Sequence, residues 1–500
     1  MSHLTNAASA TNSRWPCWIL EIDSFTILLD CAISEFGASA PVQNVIPHLD
    51  AKTIQRINVV LISNHETFLA LPYISEFGGF NGIRKIFATD PTVAFGKLRL
   101  EEFIRSNPQV LNADGVMQPC YSNNEAQSCI EKINRVSSGY CLGSTNWMIS
   151  FHFQKILYIS TSSTTLGKHS APIDIEAMKF ADYVICNNAA ATKSAQSTQS
   201  TLQKSGKTIF SQLSRSIENG GTVVFLCKPF GCLFDLLELI EGIFLSMGMT
   251  ATVHVISTVA NESLKVCNIL GEWMNNERKE RVFKSNVPLM HGPMMDSKRL
   301  LTHMSMHTVF VHKPQVLVLD YSDIENSSFS AFLKWRKGGA CTYIVTESDS
   351  ADFLMTFLSQ SKINSNTLYC PFDAHASEQD YVTLLQTIKP GFGIVVPHAS
   401  SYFMDIYGGN LSVLPGSGGK NSRCEIPIDS IIRSVLISKS MAQNVVLSQI
   451  AKAYCGVVSG TIKIGHPNIL TKRDYNATKI ILGEKGFLNR LLEASVSEVY

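Results

Sequence analysis

The chain has 500 residues, too many for one ordinary domain and enough for about three. Its 42 basic and 41 acidic residues leave a net charge of +1, which argues against a strongly basic nucleic-acid scaffold and against an acidic solvating chain. Hydrophobic residues at 45% against 17% charged ones exclude wholesale disorder.

The opening MSHLTNAASATNSR is polar, so no apolar leader is expected. Residues 18–31, WILEIDSFTILLDC, read as two short strands turning at Asp23-Ser24. NVVLIS (58–63) is a buried-strand pattern, and ALPYISEF (70–77) a helix ending at Gly78-Gly79. KIFAT (85–89) then leads into the helix DPTVAFGKLRLEEFI, with Pro91 early in it. Strands are expected at 147–153 and 155–160, paired across a short turn, and at DYVIC (182–186). The Ser/Thr/Gln-rich stretch 191–206 reads as a surface loop.

From residue 220 a strand–loop–helix rhythm sets in: TVVFLCKPFGCLFDLLELIEGIF, then ATVHVIS (251–257), QVLVLD (315–320) and CTYIVT (341–346). This alternation implies an α/β architecture with a mainly parallel middle section. The most apolar stretch, 233–249, carries Asp235, Glu238 and Glu241 and suits a buried helix better than a membrane span. NERKERVFK (276–284) reads as a solvated helix end. PGSGGKNS (415–422) is the clearest linker, and a small C-terminal domain follows it.

Several generic motifs fail. The 13 cysteines form no CxxC pair, so they read as small apolar residues in a reducing compartment. GSGGK (416–420) lacks both the first glycine and the Ser/Thr of a phosphate loop. HMSMH (303–307) lacks the glutamate of a zinc protease, and no GxSxG nucleophile elbow occurs.

The informative segment is LISNHETFLALPYI (61–74): a strand ending in Ser, a polar burst, then ALP opening a helix. It resembles the zinc loop of the metallo-β-lactamase/β-CASP family. Active members carry HxHxDH there, which places imidazoles on a zinc pair that activates hydroxide. Here the burst is NHET, with Asn64 and Glu66 where the two leading histidines would be, His65 between them, and no Asp-His pair after them.

The same resemblance assigns Asp30 to the acid after the first strand, Tyr140 to the third histidine and Thr161 to the bridging aspartate. It assigns Asn187 to an acidic position opening the cap, and KPFGCLFDLLELI (228–240) to the cap's Gly-loop and helix. His375, in LYCPFDAHAS, falls on the general-acid position, and His398, in GIVVPHAS, on the last zinc ligand.

What the resemblance implies is a metallo-β-lactamase-like αββα sandwich with an inserted β-CASP α/β cap and a small α+β C-terminal domain. Its expected segments are 1–190 and 346–414 for the sandwich, 191–345 for the cap and 423–500 for the C-terminal domain. With most ligands replaced, it implies a catalytically silent structural subunit, without metal or other cofactor, that pairs with an active homologous endonuclease of an RNA 3′-end-processing complex in the nucleus. His375 and His398 then read as hydrogen-bonded cleft residues. Two alternatives stay open. One is a hydrolase with a reduced ligand set drawn from Asp30, His65, Glu66, His375 and His398. The other is a pseudo-nuclease that grips RNA.

The end of the chain, ATKIILGEKGFLNRLLEASVSEVY, reads as a strand and then an amphipathic helix pairing Phe487 with Leu491 and Leu488 with Leu492. Ile480, Ile481, Leu482, Phe487, Leu488, Leu491 and Leu492 are the expected partner interface, because one short strand and a helix cannot close a core alone.

Overall fold

The computed structural model describes residues 2–8, 16–22, 25–33, 47, 49–78, 85–105, 109–111, 117–119, 133–135, 141–151, 154–187, 197–249, 251–284, 286–309, 315–322, 332–333, 341–348, 350–360, 366–397, 399–414, 423–426, 447–450, 453–456, 461–466, 469–476, 480–482 and 490–491. Tyr140, His398, the 415–422 linker, Phe487, Leu488 and Leu492 lie outside them. One unit spans residues 3–425; the other holds 426–500 with the first two residues.

Two sheets form the sandwich of the larger unit. The first runs in the order Arg423–Ile426, Ser2–Asn6, Trp18–Ile22, Phe25–Leu29, Val59–Leu61, Lys85–Ala88 and Ile133–Arg135. Trp18–Ile22 pairs antiparallel with Phe25–Leu29, the hairpin expected from the sequence, and Val59–Leu61 joins Phe25–Leu29 in parallel. The second runs Leu411–Val413, Gly393–Val396, Tyr183–Cys186, Gln154–Ile159 and Trp147–Phe151.

Side chains alternate along each strand, so one face of each sheet meets helices and the other meets the opposite sheet. On the first sheet Ile19, Leu28, Val60 and Ile86 pack with Ile54, Leu71, Ile74, Val93 and Leu100 of the helices Ala51–Arg56, Leu71–Gly78 and Asp90–Arg105. On the second, Leu157, Ile159 and Val184 pack with Tyr381, Leu385 and Phe403. The alternate positions Trp18, Leu20, Ile156, Tyr158 and Ile185 are buried as well. Trp18 Nε1 crosses between the sheets to Asn187 Oδ1 at 3.1 Å, and Tyr158 OH to Asp30 Oδ2 at 2.7 Å. The result is the αββα layering expected of a metallo-β-lactamase-like chain.

The cap sheet runs Leu300–His303, Thr252–Ile256, Gln315–Leu319, Thr222–Leu226, Cys341–Val345 and Asn366–Tyr369, every neighbouring pair parallel. Helices cover both faces, which is why its strands read as continuous apolar runs. Leu213 and Leu237, on the helices Thr198–Glu218 and Cys232–Met247, pack with Val223 and Phe225. Leu354 packs with Val224 and Leu226 from the other side.

Four expectations need correction. The cap sheet takes its last strand from Asn366–Tyr369, so it extends past the expected boundary at 345. The helix Thr198–Glu218 claims 198–206 from the expected surface loop. Ser197 caps it, and Leu202, Ile209, Leu213 and Ile217 form a buried stripe; the polar residues that suggested a loop lie largely between the stripe positions. The basic run 276–284 is helical but not wholly solvated, because buried Arg278 forks onto Glu238, with Nη2 2.6 Å from Oε2. The fourth concerns the smaller unit. There Ile480–Leu482 is an inner strand between Ala453–Gly456 and Arg490–Leu491, so at 490–491 a strand replaces the expected helix.

Residues 233–247 of the apolar stretch lie in the helix Cys232–Met247, stopped by Gly248 in the left-handed region. No helix among the described residues is long and apolar enough to cross a membrane.

Candidate functional site at the seam of sandwich and cap

The NHET burst does not reach outward as a ligand-bearing loop. Asn64 Oδ1 accepts from the backbone N–H of Glu66 at 2.9 Å and of Thr67 at 3.1 Å, closing a tight turn. Thr67 Oγ1 donates to Asp30 Oδ1 at 2.7 Å, and Ser63 N–H donates to the same oxygen at 2.7 Å. With Tyr158 on Oδ2, both oxygens of fully buried Asp30 have donors. Asp30 itself sits at φ 59°, a left-handed conformation that short polar side chains tolerate best. Burial raises its carboxyl above the ordinary range, against the pull of Ser160, Thr67, Ser63 and Tyr158.

His65 is buried between Phe95 and Phe230, with ring centroids 6.0 and 5.3 Å away. Its Nδ1 lies 3.4 Å from Cys141 Sγ and its Nε2 3.5 Å from Glu66 Oε1. Burial opposes a charge on this ring, but Cys141 and Glu66 outweigh it and hold the imidazole pKa above its ordinary value. Cys141 reaches His65 through the turn at Gly143, where φ is +79° and a Cβ would fall 2.5 Å from Pro91. Only glycine fits that approach.

The residue that completes the site was not singled out from the sequence. Lys228, on the loop after the cap strand Thr222–Leu226, is 5% exposed. Its ammonium donates to both Glu66 oxygens, at 3.2 and 3.0 Å. Burial raises the Glu66 pKa, but Lys228 and then His65 reverse this and hold it well below the carboxylate range. Behind the pair, Lys228 N–H donates to Glu347 Oε1 at 2.7 Å and Tyr321 OH donates to Oε2. Arg99 binds Glu102, whose carboxyl is pushed well up by burial and then by Asp320. Sandwich and cap thus meet through a buried, nearly balanced set of charges.

The other expected positions lie in three places. Thr161 is buried just beyond the Gln154–Ile159 strand. Asn187 accepts from Trp18 Nε1, and its backbone N–H donates to the Ile159 carbonyl at 2.9 Å. His375 has Nε2 3.5 Å from Asp373 Oδ2, and its carbonyl accepts from Thr198 Oγ1 at 2.8 Å. His303 of the discarded HMSMH motif lies 3.0 Å from His254 Nδ1, an imidazole pair on adjacent cap strands.

A dinuclear zinc centre does not fit this donor set. Asp30 is committed to three hydrogen bonds, Asn64 closes its own turn, and a buried ammonium rather than a dication neutralises Glu66. A general signal for Lys228 did exist: it is the one charged residue in TVVFLCKPFGCLF (222–234), at the end of a buried strand.

No family model matches the sequence. The chain is 27% identical over 450 residues to "Integrator complex subunit 9" of Homo sapiens, covering 79% of this chain and 67% of that one. It is 24% identical over 455 residues to "Integrator complex subunit 9 homolog" of Dictyostelium discoideum, covering 78% and 62%. It is 20% identical over 373 residues to "Probable cleavage and polyadenylation specificity factor subunit 2" of Drosophila melanogaster, covering 69% and 46%. The match thus spans about two thirds of the human relative's length.

Proposed function

We propose that this chain, a relative of Integrator complex subunit 9, is a non-catalytic structural subunit of an Integrator-type nuclear complex. Its sandwich and cap support an active homologous nuclease, the Integrator subunit 11-like endonuclease, and through it the 3′-end processing of small nuclear RNA and other nascent transcripts. The observation that carries this reading is the Glu66–Lys228 pair. Where an active member would present metal ligands, this chain presents a capped turn and an internal ion pair that ties cap to sandwich. Such a scaffold keeps the shape of a nuclease without its reactive centre.

The small unit at 426–500 is the proposed partner surface. Its four-stranded sheet ends in the strands Leu447–Ile450 and Arg490–Leu491, whose outer edges can accept another chain's strand. Ile480, Ile481 and Leu482 support such pairing from inside the sheet. RNA contact and contacts to further Integrator subunits belong to the assembled complex, and assembly begins in the cytoplasm before nuclear entry.

Co-expression with the subunit 11-like nuclease, with and without residues 427–500, tests the reading. The full chain should co-purify with the nuclease and the truncated chain should not. A truncated chain that still holds the nuclease would remove the C-terminal unit from the interface.

A further inference from the structure

The seam holds a second cluster whose chemistry the ion pair does not use. Cys227 ends the extended segment after Thr222–Leu226, and Cys232 opens the helix Cys232–Met247. The loop between them closes on itself, helped by Gly231 at φ 54°, and brings the two sulfurs to 3.4 Å. Glu347, just beyond the neighbouring strand Cys341–Val345, places Oε1 3.8 Å from Cys232 Sγ. The three donor atoms all lie within 4.8 Å of one another, the one such group of Cys, His, Asp and Glu among the described residues.

Topology explains why a site falls here. Thr222–Leu226 and Cys341–Val345 are adjacent in the parallel sheet, but their connections leave in opposite directions. The first runs over one face toward Thr252–Ile256, the second over the other toward Asn366–Tyr369. A crevice opens at the carboxyl ends of such a strand pair, and ligands of open α/β sheets bind there.

From this geometry we infer a zinc-class metal site formed by Cys227 Sγ, Cys232 Sγ and the Glu347 carboxylate. A tetrahedral zinc ion needs thiolates about 3.8 Å apart and a thiolate–carboxylate edge of about 3.6 Å. The observed 3.4 and 3.8 Å match these edges with little movement. They are far from a disulfide, whose sulfurs stand at about 2.0 Å. Two thiolates select a soft cation such as zinc over calcium or magnesium. Glu347 is already oriented by Lys228 N–H and Tyr321 OH, and each oxygen keeps a lone pair for the ion. Cys227 is buried and Cys232 is partly exposed, and a water would supply the fourth ligand of the tetrahedron. Binding releases the two thiol protons to solvent as the sulfurs become thiolates.

The bound ion would pin the five-bond loop whose second residue is Lys228. It would thus be a clamp on the seam, separate from the degenerate metal loop and independent of whether the chain serves an Integrator-type complex.

The test is a cobalt titration of the purified, chelator-stripped full chain in the presence of reductant. Thiolate-bound cobalt gives an intense charge-transfer band that carboxylate and imidazole sites lack. The expected result is one cobalt per chain with that band, displaced by equimolar zinc. Cys232→Ser should lose the band, and Glu347→Gln should keep it while binding at least tenfold more weakly, both with unchanged circular dichroism. Should the serine variant misfold, peptide mapping of the wild type supplies the answer: zinc should protect Cys227 and Cys232 from alkylation. Absence of the band, an equal band in a folded Cys232→Ser chain, or alkylation of the pair unaffected by zinc would each overturn the proposal.

Discussion

The interior of the sandwich and its seam with the cap handle buried polarity in opposite ways. On the sandwich side, Asp30 is satisfied by neutral donors, a backbone N–H and two hydroxyls, and the result is a rigid hydrogen-bonded knot. Where the sandwich meets the cap, Glu66 pairs with the cap's Lys228, and Arg99 pairs with Glu102 beside the cap's Asp320. A buried hydrogen-bond network fixes one geometry, whereas a buried ion-pair network is strong only while every member keeps its charge. Loss of metal ligands from a scaffold therefore leaves two problems: orphaned acceptors, and orphaned negative charge that in an active member a dication would neutralise. Hydroxyl donors solve the first here and a cap lysine solves the second.

The largest effect should come from the knot. Asp30→Ala strips the acceptor from Ser63 N–H, Thr67 OH and Tyr158 OH at once, and each orphaned buried donor costs about 1–3 kcal/mol. Urea denaturation should show a loss of about 3–5 kcal/mol. A loss below about 1 kcal/mol would mean that water replaces Asp30 and that the knot is not dry.

Lys228→Met should follow, at about 3 kcal/mol near neutral pH, because it leaves Glu66 buried without its cation. Its pH dependence separates the ion-paired seam from the Asp30 knot. In the wild type the depressed Glu66 pKa contributes stability that is present above the unfolded pKa of about 4.3 and is lost as pH falls toward the folded value. Without the ammonium only His65 opposes the burial that raises that pKa, so the Glu66 contribution shrinks. The gap between variant and wild type should therefore widen from pH 4 to 7; a constant gap would assign Lys228 a packing role only.

Glu102→Gln should be smaller still, within about 1 kcal/mol, since the glutamine keeps the side-chain shape and offers Asp320 a donor. Glu102 has a raised folded pKa, so its contribution is full below the unfolded value and declines as pH rises through the folded one. The variant should lose that decline, which parallel melts at pH 5 and pH 8 would detect. His375→Ala should be least, under about 1 kcal/mol, as its ring meets Asp373 only at 3.5 Å in a partly exposed setting.

Much of this was legible in the sequence because burial leaves a pattern. The runs NVVLIS, TVVFL and CTYIV are strands and ALPYI opens a helix, so hydrophobicity made the elements and the parallel middle section legible, while the layering came from the family resemblance. Loss of the zinc burst was equally plain from Asn64 and Glu66. Pairings between distant segments were not legible. Nothing local at Lys228 specifies Glu66, 162 residues earlier, nor does the spacing of Cys227 and Cys232 reveal Glu347. The helix Thr198–Glu218 was missed because its polar residues outnumber its apolar ones, and only the stripe from Leu202 to Ile217 betrays it. At 490–491 helical spacing misled in the other direction, since Leu491 pairs with Ile481 in a strand.

The central claim is that the seam holds an ion pair in place of a reactive metal centre. Its most direct test is an RNA-cleavage assay on the purified wild-type chain, with zinc supplied and with Glu66→Gln and His375→Ala as controls. The account predicts no cleavage by wild type beyond that of the two variants. Metal-dependent cleavage by wild type that disappears in both would contradict it.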